Sequence, residues 1–298
     1  MKIVSLLPSA TEIVYALDLD DELCGVTFEC DHPAAARTKP VVSGTRLTDH
    51  DTESAGSIDA AVRATIAAGE SLYTLDAARI REIQPDLILA QDLCRVCAVP
   101  SSAVDDALAV LGCDANVLSL DPSTLDDVIA CIGLVGAATR HHDRSDALMA
   151  SLRARVDRVQ AAVSGRTEAR VLALEWSDPP FSAGHWVPDM IAAAGGVPVL
   201  AHRHEPSQRL DWNDIGRAEI DVVVFMPCGY DLTPAVDEGR GLAARAELAG
   251  AREVWAVHGN AYFSRPGPRV VDGVELLAAI LHPDAFDADT AGRAVRLR

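Results

Sequence analysis

The chain has 298 residues, 49% of them apolar and 23% charged, and a net charge of −18 at pH 7. That length allows two compact units, each burying its own core. The acidity excludes nucleic acid and anionic membrane surfaces as partners, since both repel it, and no run of about 18 apolar residues exists to insert into a membrane.

Met1-Lys2 leads directly into apolar Ile3 to Leu7, which Pro8-Ser9 stops. This reads as a first strand rather than the apolar region of a secretory signal. Cytoplasmic residence is the expectation, or the cell envelope if an upstream segment has been removed. Ser9-Ala10-Thr11-Glu12 has the pattern of a capping box opening a helix through about Leu17. Strands are expected at Gly25 to Cys30 and Pro40 to Val42, a helix capped by Asp76 over Ala77 to Ile83, and a buried parallel strand at Leu87 to Ala90. A helix over Ala103 to Leu111 and a strand over Asn116 to Leu120 complete a first lobe, residues 1–121.

Residues 122–165 carry no strand signal. A break near Thr139-Arg140-His141-His142 divides them into two helices. The second, with Leu148, Leu152, Val156, Val159 and Val163 at spacings of three and four, is amphipathic. Strand–helix alternation then resumes through a second lobe, 166–298, with strands expected at Arg170 to Glu175, Asp221 to Met226 and Glu253 to Val257. Ile83 to Leu89 matches Ala218 to Val224 in pattern, a helix end followed by Asp and an apolar strand, so the second lobe reads as a repeat of the first. The residues from Asp287 onward are polar and expected to fray. The fold class is α/β: two lobes, each a parallel-type sheet with flanking helices.

Ligands of open parallel sheets sit at the carboxyl ends of the strands, and the unusual residues collect there. In the first lobe these are Pro8, Ser9 and Thr11 after the first strand, Glu29, Cys30 and His32 after the second, and Gln91, Asp92, Cys94 and Cys97 after the fourth. In the second lobe they are Glu175, Trp176, Phe181, His185 and Trp186, then Cys228 and Tyr230, then Tyr262, Phe263, Arg265 and Arg269. Aromatics make up only 4% of the chain. Six of them in three strand-to-helix loops suggest a ligand platform. His185 reads as a hydrogen-bonding loop residue or an axial ligand to a bound metal centre. Arg265 and Arg269 read as grips for a carboxylate or phosphate, or as caps on carbonyls.

Seven cysteines without an export signal read as thiols or metal ligands rather than disulfides. Cys24, Cys113 and Cys131 are expected in the core. Cys30, Cys94 and Cys97, with His32 or Asp92 and with Cys228 as a lid, form a candidate site for zinc or an iron–sulfur cluster, the alternative being small packed thiols. No nucleophile elbow, phosphate-binding loop, metalloprotease helix or dinucleotide fingerprint is present, so no reaction is expected.

Leu7-Pro8-Ser9-Ala10-Thr11-Glu12, Asp178-Pro179-Pro180-Phe181 with Gly184-His185-Trp186, and Phe263-Ser264-Arg265-Pro266-Gly267-Pro268-Arg269 together resemble the cobalamin-type class III substrate-binding proteins of ABC importers. The resemblance covers nearly the whole chain. It implies two lobes joined by a long rigid helix, with a cleft between them closing on a metal chelate, cobalamin or another corrinoid. The protein would be an importer component or a cytoplasmic vitamin-binding relative. It also implies an ABC permease as partner, met through an acidic residue on each lobe. Those positions align near Ala78 and Asn213, with Asp76 and Asp214 close by. The alternative is a cytoplasmic metalloprotein or enzyme that reuses the scaffold, with the cysteines as its metal site.

Overall fold

The computed structural model describes residues 1–68, 70–92 and 115–298. The chain divides into two compact units, one of residues 1–122 and 129–149, the other of residues 123–128 and 150–298. Helices α4 (Leu125–Thr139) and α5 (His142–Val163) therefore each contribute to both. The break between them falls where the sequence places it, with Arg140 in the left-handed region at φ 62°.

In the first unit, β1 (Ile3–Ser5), β2 (Leu23–Gly25), β5 (Leu87–Ala90) and β6 (Asn116–Ser119) form a parallel sheet in the order β2-β1-β5-β6. A second, two-stranded sheet pairs β3 (Ser43–Thr45) with β4 (Tyr73–Leu75). The apolar run expected to form a buried strand does so: Leu87, Ile88, Leu89 and Ala90 are all buried between strands on both sides. Val4, Leu6, Val42, Ile80, Ile88 and Ala90 make one core cluster, with Ile80 supplied by helix α3 (Ala77–Ile83).

Several expected elements shift. Helix α1 (Pro8–Ala16) begins at Pro8, not at a Ser9 capping box. Proline has no N–H to satisfy in the first turn and its φ suits a helix start, so it displaces the hydroxyl cap. Strand β2 ends at Gly25, with Val26 making a single bridge to Val41, and β3 lies beyond Pro40 to Val42. Helix α2 (Ala55–Ala67) lies where no element is expected, because only Ala55 of it is buried and its apolar spacing is correspondingly weak. Ser54 caps it in a reciprocal pair with Ser57. The helix expected over Ala103 to Leu111 lies outside the described residues.

In the second unit, β7 (Ala169–Ser177), β9 (Gly196–Pro198), β10 (Val222–Phe225) and β11 (Glu253–Val257) pair in parallel, with β8 (Pro180–Ser182) and β12 (Ala294–Arg296) antiparallel at the margins. The C-terminal segment therefore does not fray. Arg296, Val295 and Ala294 pair with Trp255, Ala256 and Val257, which covers one edge of β11. Helices α6 (Val187–Ala193), α7 (Trp212–Arg217), α8 (Leu232–Ala243), α9 (Gly259–Tyr262) and α10 (Val270–Leu281) flank this sheet. Leu172, Leu174, Val223, Phe225 and Val254 from its strands pack with Ile215 and Leu242 from α7 and α8. Arg155 on α5 is held by Glu275 at 2.6 and 2.9 Å and by Asp272, both on α10.

The internal repeat is visible bond by bond. Asp86 precedes β5; its carboxylate accepts from the Lys2 N–H, its N–H donates to the Lys2 carbonyl, and its carbonyl accepts from Asn116. Asp221 precedes β10 and does the same with Arg170 and Arg252. The helices before these strands, α3 and α7, are capped by Asp76 and Asp211, and each points an isoleucine, Ile80 or Ile215, into its core. One Asp fastens three strands at their amino ends, opposite the carboxyl ends where ligands of such sheets sit.

Candidate functional site

At the carboxyl edge of the first unit, the residues after β1 turn inward. Ser9 and Thr11 are buried, and the Thr11 hydroxyl meets the Cys30 thiol at 3.1 Å, with Thr27 Oγ1 on the same sulfur at 3.2 Å. Gln91 is also buried and donates from Nε2 to the Leu120 carbonyl at 3.0 Å. Ser9, Thr11 and Gln91 are thus buried at this edge. Thr11 and Gln91 find protein partners there, as buried polar groups must. Pro8 and Glu29 are half-buried and Asp92 is exposed. The Asp92 N–H donates to Asp121, and both carboxylates accept from the Ser119 hydroxyl.

Cys30 is a buried thiol between two threonines, as the packed-thiol alternative anticipated, and Cys131 is buried in α4. Cys24 is half-buried in β2 and Cys228 is exposed after β10. Cys94, Cys97 and Cys113 lie outside the described residues. Among the described residues, no group of three or more His, Cys, Asp or Glu is placed to hold a metal ion.

The second unit concentrates its aromatics at the same edge. Trp176, at the end of β7, lies opposite Phe181 in the β7–β8 hairpin and meets the Tyr230 ring edge-on at 5.6 Å. All three are half-buried. Glu238 on α8 accepts from Ser177 and hydrogen-bonds Tyr230. Burial, and then the Glu238 charge and hydrogen bond, push the Tyr230 phenol up to about 12. Tyr262 at the end of α9 is half-buried, with the His258 ring edge-on at 5.8 Å and the Arg269 and Arg293 guanidiniums over its face at 6.0 and 5.5 Å.

Between these lies the Gly184-His185-Trp186 turn. The Glu175 carboxylate accepts from the Gly184 N–H and the Ser207 hydroxyl. A Cβ on Gly184 would lie 2.4 Å from the Ser207 nitrogen and 2.7 Å from the Glu205 carbonyl oxygen, so the close approach of residues 205–207 requires glycine. His185 follows with φ 51°, its N–H donating to the Glu205 carbonyl at 2.7 Å. Its ring stacks on Trp186 at 5.6 Å. Burial lowers the His185 pKa, and Nδ1 is shielded from water with no hydrogen-bond partner among the described residues. Burial therefore favours the neutral form of the imidazole.

Trp186, Phe263 and Arg265 depart from the expected platform because all three are buried, at 5%, 1% and 8% exposure. The Trp186 indole N–H donates to the Phe263 carbonyl at 2.9 Å, fastening the loop after β8 to the loop after α9. These two aromatics brace the loops while Trp176, Phe181, Tyr230 and Tyr262 retain surface. Sequence reasoning did not single out Ser207, Glu238 or Arg293, which meet the site only through the fold. Of the acids near the expected docking positions, Asp76 caps α3, and Asp214 on α7 is exposed beside Arg217 at 3.4 Å.

A family model described as periplasmic binding protein matches residues 3–244. The chain is 26% identical, over 96% of its length and 81% of the relative's, to the uncharacterized ABC transporter substrate-binding lipoprotein YvrC of Bacillus subtilis. Its fold is similar to that of the periplasmic vitamin B12 binding protein BtuF of Vibrio cholerae, with a TM-score of 0.67, 22% identity and coverage of 93% of this chain and 95% of that one. It is also similar to the periplasmic heme-binding protein RhuT of Roseiflexus sp. RS-1, with a TM-score of 0.70, 21% identity and coverage of 95% and 98%.

Proposed function

The chain belongs to the periplasmic binding protein family, and from that premise we propose that it is the ligand-binding component of an ABC importer for a metal chelate, cobalamin or a related corrinoid. The observation that carries the reading is the half-buried aromatic group Trp176, Phe181, Tyr230 and Tyr262 at the carboxyl edge of the second unit. A large macrocycle needs a wide, rigid apolar surface. Aromatic side chains give one at small entropic cost, each stacked ring contributing roughly 0.5–1.5 kcal/mol beyond area burial. Burial favours the neutral form of the His185 imidazole, which suits a ligand with a metal centre, because an uncharged nitrogen can bind the metal without first losing a proton. Pro8, Glu29 and Asp92 are the expected contacts from the first unit that keep surface.

Haem is the second reading, favoured by that same imidazole and by the similarity to RhuT. An enzyme reusing the scaffold gives way, since the family is one of binding proteins, and of Cys30, Cys94 and Cys97 only Cys30 lies among the described residues, beside Thr11 and Thr27. An ABC permease is the expected partner. Visible absorption spectra on titration with cyanocobalamin and with haemin test the proposal. A saturable shift of the corrinoid bands supports it, and a shift with haemin alone moves the assignment to haem.

A further inference from the structure

Around Trp176, several hydroxyl groups have their hydrogens committed to carboxylates. Ser177, the next residue in the chain, donates its hydroxyl hydrogen to Glu238 on α8. Tyr230, whose ring meets Trp176 edge-on at 5.6 Å, hydrogen-bonds the same carboxylate. An ionised carboxylate offers only lone pairs, so the phenol is the donor. Burial and Glu238 hold that phenol proton in place, with the Tyr230 pKa pushed up to about 12. Glu175, the residue before Trp176, repeats the arrangement: its carboxylate accepts from the Ser207 hydroxyl and from the Gly184 N–H at 3.3 Å. The backbone nearby is likewise engaged. The Cys228 N–H donates to the Glu175 carbonyl at 3.2 Å, and the Asn260 N–H to the Tyr230 carbonyl at 3.0 Å.

A hydroxyl has one hydrogen and two lone pairs, so once its hydrogen is given away its oxygen can only accept. Ser177, Tyr230 and Ser207 are in that state. Glu175 and Glu238 add two negative charges to a chain whose net charge is already −18. All five residues are half-buried and keep surface at the aromatic edge. We propose that Glu238 and Glu175, by taking these hydroxyl hydrogens, make the rim of the aromatic edge an acceptor surface that selects a macrocycle bearing primary amides over one bearing carboxylates. Amide N–H groups meet the hydroxyl oxygens, whereas a carboxylate receives no hydrogen from them and faces two like charges. Glu238 is a positioning residue, acting through the hydroxyls it orients. This rests on the chelate-binding reading of the same edge and adds the rim chemistry that the ligand must carry.

The test keeps the macrocycle and changes its rim. Dicyanocobinamide carries amides, dicyanocobyrinic acid carries carboxylates, and the methyl ester of that acid carries neither N–H donors nor charge. Each is titrated against the full chain and against Glu238→Gln, Tyr230→Phe and Ser177→Ala. The wild type is expected to bind the amide form about tenfold more tightly than the ester, on the order of one hydrogen bond, and the acid more weakly than either. Glu238→Gln keeps the shape of the side chain but removes the charge, adds a donor and releases a hydroxyl hydrogen. It should shrink the preference for amide over acid about tenfold and leave ester affinity unchanged. Tyr230→Phe and Ser177→Ala leave the carboxylate in place and each remove one acceptor, so each should weaken the amide form alone. The ester reports folding and the ring platform, since a merely structural Glu238 would weaken all three ligands alike. Such an equal loss, a wild type that binds amide and acid equally, or a preference that Glu238→Gln leaves intact overturns the acceptor rim and leaves chelate binding standing. Wild-type protein that binds none of the three overturns the corrinoid reading itself, and the rim with it.

Discussion

Replacing Trp186 and Trp176 by alanine, one at a time, separates brace from platform. Trp186 is 5% exposed and its indole N–H is bonded to the Phe263 carbonyl. A buried tryptophan removes roughly 200 Å² from water, about 5 kcal/mol at 25 cal/mol per Å², and buried aromatic-to-alanine changes cost about 3–5 kcal/mol when measured. The Phe263 carbonyl would also lose its donor, so a loss near the top of that range is expected for Trp186→Ala. Trp176 is half-buried, with Tyr230 edge-on and Phe181 opposite it across the hairpin. Its replacement should cost about 1 kcal/mol of stability but weaken chelate binding by tenfold or more. Urea denaturation at constant slope gives the first quantity and calorimetric titration the second. The reasoning is refuted if Trp186→Ala unfolds within 1 kcal/mol of the wild type, or if Trp176→Ala binds the chelate as the wild type does.

Three further outcomes follow from the geometry. Tyr230, pushed up to about 12 by burial and by Glu238, favours the folded state in its protonated form. Its contribution is complete below pH 10 and is lost as pH rises from 10 towards 12; near-ultraviolet titration should show a late phenolate phase that Tyr230→Phe removes, and an unchanged curve would contradict the assignment. Asp76→Ala and Asp211→Ala, equivalent caps in the two halves of the repeat, should each cost about 1 kcal/mol in thermal or urea unfolding, and losses differing several-fold would break the equivalence. Exposed Cys228 should react with an aromatic disulfide reagent in the native protein, whereas buried Cys30, held by Thr11 and Thr27, should react only on unfolding. Fast native labelling of Cys30, followed by peptide mapping, would contradict that placement.

The sequence speaks clearly where one physical signal dominates. Leu87 to Ala90 is apolar on both faces and forms an inner parallel strand, Asp76 caps the helix it precedes, and the three-and-four spacing from Leu148 to Val163 lies within the helix α5. It misleads where signals compete. Pro8 outranks Ser9 as the start of α1. The polar C-terminus looks free because its partner, β11, is distant in sequence rather than in space. The loop aromatics illustrate the same limit. Trp176 and Trp186 stand ten positions apart in similar surroundings, and only the fold decides that one keeps surface while the other is covered and bonded to Phe263. Glu238 and Arg293 were illegible for that reason, since each reaches the site from an element whose own sequence gives no sign of it.

The central claim is that this chain binds a corrinoid on the aromatic edge of its second unit. Isothermal titration of the purified protein with cyanocobalamin at neutral pH tests it most directly. The account predicts one site per chain with a dissociation constant of about 1 μM or tighter, a binding free energy of about −8 kcal/mol. It also predicts a negative heat-capacity change from the apolar area buried. No saturable heat with cyanocobalamin or dicyanocobinamide, under conditions where haemin binds, would contradict it.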